Sequence, residues 1–514
     1  MARSLRQLIP AALSASLLAA LVLGTLGAVT IRAGGFSALG PRDLDALWFT
    51  VWQAAVSAAI SCALAVPVAR ALHRRRFAGR DLLISLMGAP FILPTIAAVM
   101  GLIAVFGRRG LVNGALDALG LPGMTIYGAH GVILAHVFFN LPLATRMVLH
   151  GWQAIPSERF RLAASLGFSP AEVTRHLERP MLRAVLPGAV LAIFLVCLTS
   201  FAIALTLGGG PKATTVELAI YQAFRFDFDL GRAATLALMQ VGLCLGALAI
   251  SARLTLRAGF GAGLDRPPVA GLTGGPLTRL LDSAAIAAAA LFLLVPITLI
   301  LARGVPGLAD LPASIWAASV TSLGLAAAST VLTILLALPL ALAAPRTRWA
   351  EAAAMLPLTA SALVMGTGLY LIARPFVAAS SLALPVTLIA NAALSLPFAV
   401  RLLIPEVRVL QADYDRLAAS LNMSGWARLR FLTLPRLARP LGFSAGLAAA
   451  FSMGDLGVIT LFSDGRTQTL PLALFQLMGA YRMDQAAAAA TLLIALTFGL
   501  FWLLDRIGHH ADPR

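Results

Sequence analysis

Lysine occurs once in these 514 residues, at position 212, and cysteine three times, at 62, 197 and 244. Three scattered thiols supply neither a disulfide framework nor metal-ligand spacing. The lone lysine bears on ATP chemistry, because a phosphate-binding loop needs G-x-x-x-x-G-K-[ST] to hold the phosphates. Around Lys212 the chain reads Gly208-Gly209-Gly210-Pro211-Lys212-Ala213, so that Pro211 stands where the glycine belongs and removes a donor N–H. H-E-x-x-H is absent too, as are paired carboxylates in a plausible pocket. The chain is expected to catalyse nothing and to bind no cofactor.

Charge of either sign is scarce. Asp, Glu, Lys and Arg make up 12% of the residues, against 59% hydrophobic side chains and a mean hydropathy of +0.88. That balance excludes a soluble domain. The ten-residue alternation of outer-membrane strands is also missing, since runs such as Ala11 to Val29 are apolar throughout, which leaves helices rather than a barrel. An all-α polytopic membrane protein is expected.

A helix crosses a hydrocarbon core of about 30 Å with roughly 20 apolar residues. Twelve runs qualify, near 8-31, 47-71, 82-106, 131-150, 184-206, 232-252, 279-302, 314-344, 351-373, 384-404, 440-462 and 487-505. Arg3 and Arg6 precede the first run as in a secretion signal, but the run is too long for one, and a retained anchor is expected. The net charge of +17 would suit a nucleic-acid partner if it were clustered. With the N-terminus taken as cytoplasmic, 28 of the 39 Lys and Arg residues fall inside and 11 outside. This is the positive-inside pattern, so both termini are expected in the cytoplasm and Arg74-Arg75-Arg76 acts as a topology determinant. No nucleic-acid partner is needed.

The chain repeats itself. Residues 161 to 166 and 416 to 421 both read R-L-A-A-S-L, and at the same offset Leu141-Pro142, Ala144, Arg146, Leu177 and Pro180 meet Leu396-Pro397, Ala399, Arg401, Leu432 and Pro435. Thr215 to Gln222 also matches Thr469 to Gln476, and Val99-Met100-Gly101 matches Val364-Met365-Gly366. Two homologous six-helix halves, 1-252 and 279-514, follow, with the Gly- and Pro-rich stretch 253-278 as a cytoplasmic linker. Six spans is an even number, so both halves enter the membrane in the same direction, and parallel repeats of this kind commonly place a transport pathway at their interface.

Each hexapeptide sits in the longest cytoplasmic loop of its half, 151-183 or 405-439. Pro156 to Arg175 reads as a helix too polar to insert, with a short apolar face at Leu162, Ala163 and Leu166. Such a helix either caps the bundle or docks a partner; its duplication favours docking.

These loops resemble the coupling motif of ABC importer permeases, in which Glu-Ala-Ala, three residues and Gly precede an apolar-x-apolar-Pro group. Ala163, Gly167, Leu177 and Pro180 match in the first loop, and Ala418, Leu432, Leu434 and Pro435 in the second. Arg161 and Arg416 replace the acid, Leu162 and Leu417 the first alanine, Asn422 the glycine, and Arg179 the last apolar residue of the first copy. The stretches I-L-A-H-V-F-F-N-L-P (133-142), L-G-G-G-P-K-A-T-T-V-E-L-A-I-Y-Q (207-222) and S-M-G-D-L-G-V-I-T-L-F (452-462) further resemble the fused twelve-span permeases of thiamine and thiamine pyrophosphate importers. The last stretch also resembles fused ferric iron permeases, which are the alternative. The resemblance implies a type I ABC importer permease fold in a bacterial inner membrane. It also implies a periplasmic thiamine-binding protein as partner, together with two copies of a cytoplasmic ATPase that uses the ATP.

Polar groups within spans are the remaining candidates, because each is costly in lipid. His136 and Asn140 share one face of the fourth span, Asn391 and Ser395 one face of the tenth, and Asp455 lies alone in the eleventh, where the first half has Ser200 and Phe201. They either join helices by hydrogen bonds or line a pathway. Arg146 and Arg401 are expected to snorkel toward the cytoplasm and hold the coupling loops. A proton-coupled secondary transporter would share two six-span halves, but its coupling would rest on intramembrane carboxylates and it would have no use for duplicated docking loops.

Overall fold

Within a bilayer a helix satisfies its own amides and carbonyls without water, and the computed structural model is helical accordingly. It describes residues 2–34, 39–88, 90, 92–254, 275–462 and 467–511, among which no strand occurs. Among the described residues eleven helices are long and apolar enough to cross a membrane, and a bent pair, Arg348–Thr359 and Ala362–Ala373, supplies a twelfth crossing with a 90° turn. The expected linker falls largely on 255–274, outside the described residues.

Four of the twelve expected runs are not continuous rods. The third separates into Arg80–Leu86 and Thr95–Phe106, because Pro90 and Pro94 supply no N–H for a helical ladder. The ninth bends between Thr359 and Ala362, just after Pro357. The fifth stops at Leu198 and resumes at Ala202, and the eleventh stops at Gly454 and resumes at Gly457. The breaks thus fall on the third and fifth runs of each half. The tenth run errs the other way, continuing as one helix from Ala379 to Ser420.

The two halves pack in matching patterns. Spans two, four and five adjoin one another, as do spans eight, ten and eleven. The first span of each half crosses over: span one lies on Ala362–Ala373 of span nine, and span seven lies on Thr95–Phe106 of span three. Glycine makes both crossings possible. A Cβ at Gly368 would stand 2.5 Å from Thr25 Cβ, and one at Gly101 would stand 2.8 Å from the Pro296 carbonyl oxygen. Lipid gives no hydrophobic drive between helices, so close packing of small residues carries the association. At the cytoplasmic side the Arg75 guanidinium donates to Asp282 at 2.7 Å and ties span two to span seven.

Two short helices, Val216–Arg225 and Leu470–Gly479, precede the last span of each half. Each hangs from a hydroxyl of the second span of its half. The Val216 N–H donates to Thr50 Oγ1 at 2.8 Å, and the Leu470 N–H donates to Ser322 Oγ at 2.8 Å.

Gly368→Ala is expected to destabilise the protein by about 1–3 kcal/mol, the usual penalty of overpacking, read as a lower melting temperature in detergent. Gly242→Ala, with nothing within 4 Å of the new methyl group, serves as the neutral control. Orientation is checked by Lys212→Cys, since Lys212 is exposed and the three native thiols are buried. An impermeant thiol reagent should label this variant from the periplasm and not from the cytoplasmic face of inverted vesicles.

Candidate functional site

Pro156 shapes the first cytoplasmic loop. It cannot continue a helix, so span four ends at Gln153 and a separate helix runs Ser157–Ser165. Gly167, at φ +70°, closes this helix: its N–H donates to the Ala164 carbonyl at 3.1 Å and the Phe168 N–H to that of Ala163 at 2.9 Å. At the matching position of the second half stands Gln411, and no break occurs. The helix nevertheless ends identically. Asn422 sits at φ +51°, its N–H donates to the Ala419 carbonyl at 3.1 Å, and the Met423 N–H donates to that of Ala418 at 2.9 Å. Asparagine tolerates the left-handed region better than other side-chain-bearing residues, so its replacement of glycine keeps the turn.

Two expectations for these loops are corrected. The helix expected from Pro156 to Arg175 is interrupted at Leu166–Gly167, and half of the second loop belongs to a span helix. Nor do Leu162, Ala163 and Leu166 share a face. Ala163 and Ala418 are buried, whereas Leu162, Leu166, Leu417 and Leu421 are each more than half exposed. Residues i and i+4 project together and i+1 lies about 100° round the helix. The alanines therefore let each helix lie close to the bundle, while paired leucines point to solvent.

Beyond the turns both copies form a short π-helical segment, Thr174–Glu178 and Leu429–Thr433, each two residues ahead of a proline, Pro180 or Pro435, whose missing N–H resets the ladder. Leu177 and Leu432 lie half-buried in these segments. Different ion pairs hold the two copies. Buried Glu178 accepts from Arg70 at 2.6 Å and from Arg74 at 3.3 Å, and Thr174 also donates to it. In the second copy Asp415 pairs with Arg346 at 2.9 Å and with Arg428. Arg161 donates to Ser157 Oγ at 3.2 Å, and Arg416 is exposed. Arg146 lies over Gly88, in the break of span three, rather than on the loop.

The polar residues of the first half surround the break in span five. His136 Nδ1 lies 3.5 Å from Ser57 Oγ, and Asn140 Nδ2 donates to the His136 carbonyl at 2.8 Å and to Cys197 Sγ at 3.3 Å. Two residues that the sequence did not single out complete the group. Gln53 donates to the Cys197 carbonyl at 3.1 Å, and Gln240 to the Leu198 carbonyl at 2.9 Å. Amides from spans two, four and six thus meet the end of a helix that stops inside the bundle. All four side chains are buried.

In the second half Asn391 donates to Ser452 Oγ at 3.1 Å, and Ser395 is buried on the same helix. Asp455 occupies the break of span eleven and accepts from the Gly457 N–H at 3.1 Å, leaving its Oδ2 buried without a partner. Here the halves meet. A Cβ at Gly454 would stand 3.3 Å from Pro94 Cα, and one at Gly457 would stand 3.6 Å from Ala362 and 3.8 Å from Phe201. The sequence also gave no warning of Glu217, because its helix reads as an ordinary amphipathic segment. Glu217 is 1% exposed, and neither carboxylate oxygen has a hydrogen bond of normal geometry, although the Ser361 hydroxyl adjoins it.

Gly442-Phe443-Ser444-Ala445-Gly446 has the spacing of a nucleophile elbow, yet it lies inside the helix Ala438–Gly454. An elbow needs a strand-to-helix turn. The two glycines instead admit span twelve, with Leu504 and Phe501 at 2.6 and 2.9 Å from the positions of added Cβ atoms.

No family model matches the chain. It is 38% identical over 514 residues to the thiamine transport system permease protein ThiP of Brucella abortus (strain 2308), covering 96% of this chain and 94% of that protein. The ThiP of Salmonella typhimurium is also 38% identical, over 528 residues, with 98% and 97% covered. The ThiP of Haemophilus influenzae is 31% identical over 472 residues, with 88% and 86% covered. Similarity at that level from end to end, joined to twelve helical crossings, shows that the chain belongs to the ThiP family of ABC transporter permeases, multi-pass proteins of the inner membrane.

Proposed function

We propose that the chain forms the whole translocation pathway of an ATP-driven importer for thiamine or thiamine pyrophosphate. A periplasmic binding protein delivers the substrate, and two copies of a cytoplasmic ATPase drive the cycle. Residues 1-252 and 279-514 act as its two halves. The observation that carries this reading is the matched pair of helix ends, 157–165 and 411–420, closed by Gly167 and Asn422. Each offers two outward leucines on a helix seated by a buried alanine, in a loop pinned by ion pairs. Nothing in the bundle needs such a projection, and a separate subunit with an apolar groove would cover it. Nucleotide-driven closure of two such subunits would then rock the halves against each other.

Leu166→Glu and Leu421→Glu are each expected to leave the permease in the membrane and to cut ATP-driven uptake about thirtyfold, the factor for losing an interface anchor of about 2 kcal/mol. The ATPase should dissociate on detergent extraction. Ala163→Glu should also uncouple, by expelling the helix from its seat, whereas Lys212→Ala should leave the ATPase bound. Full uptake in both leucine variants would reduce these helix ends to caps.

Substrate identity is tested by radiolabelled thiamine uptake in a strain lacking the chain. Uptake should vanish and should return only when the intact gene and the ATPase are both supplied. Unchanged thiamine uptake with lost iron uptake would move the assignment to ferric iron. Uptake driven by a proton gradient without ATP would make the chain a secondary transporter.

A further inference from the structure

Glu217, Tyr221 and Phe224 stand at i, i+4 and i+7 on the helix Val216–Arg225, so one face carries a carboxylate and two rings. That face meets the second half. Phe224 packs on Tyr370 at 4.8 Å and on Phe462 at 6.3 Å between ring centroids, Tyr370 packs on Phe462 at 5.6 Å, and Tyr221 packs on Phe201 at 5.4 Å. Asp455 approaches the same place from span eleven. Both acids converge on the start of Ala362–Ala373: Ser361 adjoins Glu217, and Ala362 adjoins Gly457, whose N–H binds Asp455.

Buried carboxylates normally have a basic partner, because an unpaired charge in a low-dielectric interior is strongly unfavourable. Among the described residues neither Glu217 nor Asp455 forms an ion pair. Both Glu217 oxygens and one Asp455 oxygen lack hydrogen bonds as well. The groups around Asp455 are the Asn391 amide and the N–H groups of Gly457, Val458 and Ile459, which are donors without net charge. The repeat does not duplicate this arrangement. Pro471 stands where Glu217 would be, and Ser200 and Phe201 occupy the stretch corresponding to Asp455. Each half gives one acid, from different elements, to the seam.

We propose that Glu217 and Asp455 form an anionic site for an organic cation, walled by Phe201, Tyr221, Phe224, Tyr370 and Phe462. Resting on the thiamine reading above, the site takes the thiazolium ring, whose positive charge suits carboxylates and whose flat face suits aromatic walls. It lies on the seam where the two halves pack against each other.

The test reconstitutes the full complex, with permease, ATPase and binding protein, in proteoliposomes and measures thiamine carried per ATP hydrolysed. ATP hydrolysis stimulated by the binding protein serves as the control for assembly. Glu217→Gln and Asp455→Asn should keep that hydrolysis and lower thiamine per ATP by about tenfold or more, the low end for a desolvated charge interaction. Glu217→Asp should restore most of the ratio. Wild-type ratios in both neutral variants would overturn the site and mark the acids as uncharged packing groups. If Glu217→Gln fails to assemble, Asp455→Asn decides in the same assay. Failure of the wild-type complex itself to carry thiamine would instead defeat the substrate reading, so the two outcomes stay distinct.

Discussion

A helix that stops inside a bilayer leaves carbonyls or amides that no water can reach, and each such group costs several kcal/mol unless protein supplies its partner. This molecule stops helices in the bundle at four crossings, and much of its buried polar chemistry follows from that choice. Gln53, Asn140 and Gln240 gather at Cys197 and Leu198 because span five ends there. Ser361 accepts from the Val364 N–H and Asp455 from the Gly457 N–H because new helices begin there. Thr50 and Ser322 take the amides that open the two short outer helices. Span four carries His136 and Asn140, and span ten carries Asn391 and Ser395, because these helices flank the breaks.

The sequence made the class of protein legible for a simple reason. Bilayer thickness sets the length of an apolar run, and each of the twelve expected runs has its crossing. Two kinds of break were less visible. Those at Pro94 and Pro357 carry a local signal. The break at Gly454-Asp455 is served by Asp455 itself, which accepts from the Gly457 N–H, whereas at Thr199-Ser200 the groups that replace the lost backbone bonds come from elsewhere in the chain, Gln240 being 42 residues from Leu198. Composition places a glutamate such as Glu217 at the surface by default, and only the packing of its helix between the halves buries it. The two loop helices were visible as a repeat, but their orientation was not. Nothing in R-L-A-A-S-L says which of its apolar residues faces home, and the structure turns the alanine inward and the leucines out.

Duplication supplied two copies of each element, and substitution has since made them unequal. Gly167 and Asn422 show how much divergence a backbone constraint permits, for both side chains tolerate the left-handed turn that the helix end requires. Glu178 and Asp415 show a different freedom. Each pins its loop with two arginines, yet one sits in the π-helical segment and the other in the helix before the turn. A charge pair needs only to span the gap, so its position drifts while its effect stays. Glu217 and Asp455 go further, having no acidic counterpart in the opposite half.

The deepest inequality lies in how each half connects its cytoplasmic end to the seam. In the second half Asn391, which donates to Ser452 near Asp455, and Ala418, which seats the outer helix end, belong to one uninterrupted helix. They are separated by about 40 Å of helix at 1.5 Å per residue, a stretch that runs through Pro397 and Pro405 without a break. The two ends are therefore joined by one continuous backbone. In the first half Pro156 places a joint between Asn140 and Ala163, and motion has to cross by contact instead. The contacts are present: His73 of span two lies between Trp152 and Phe160 on either side of the joint, with ring centroids 6.4 and 6.1 Å away, and Glu178 fastens the loop to Arg70 and Arg74 of that same span. Span two also carries Gln53, at the break of span five, and Thr50, which holds the helix bearing Glu217. The first half thus joins its loop to the seam through a neighbouring helix and the second half along its own, and both routes end near Glu217 and Asp455.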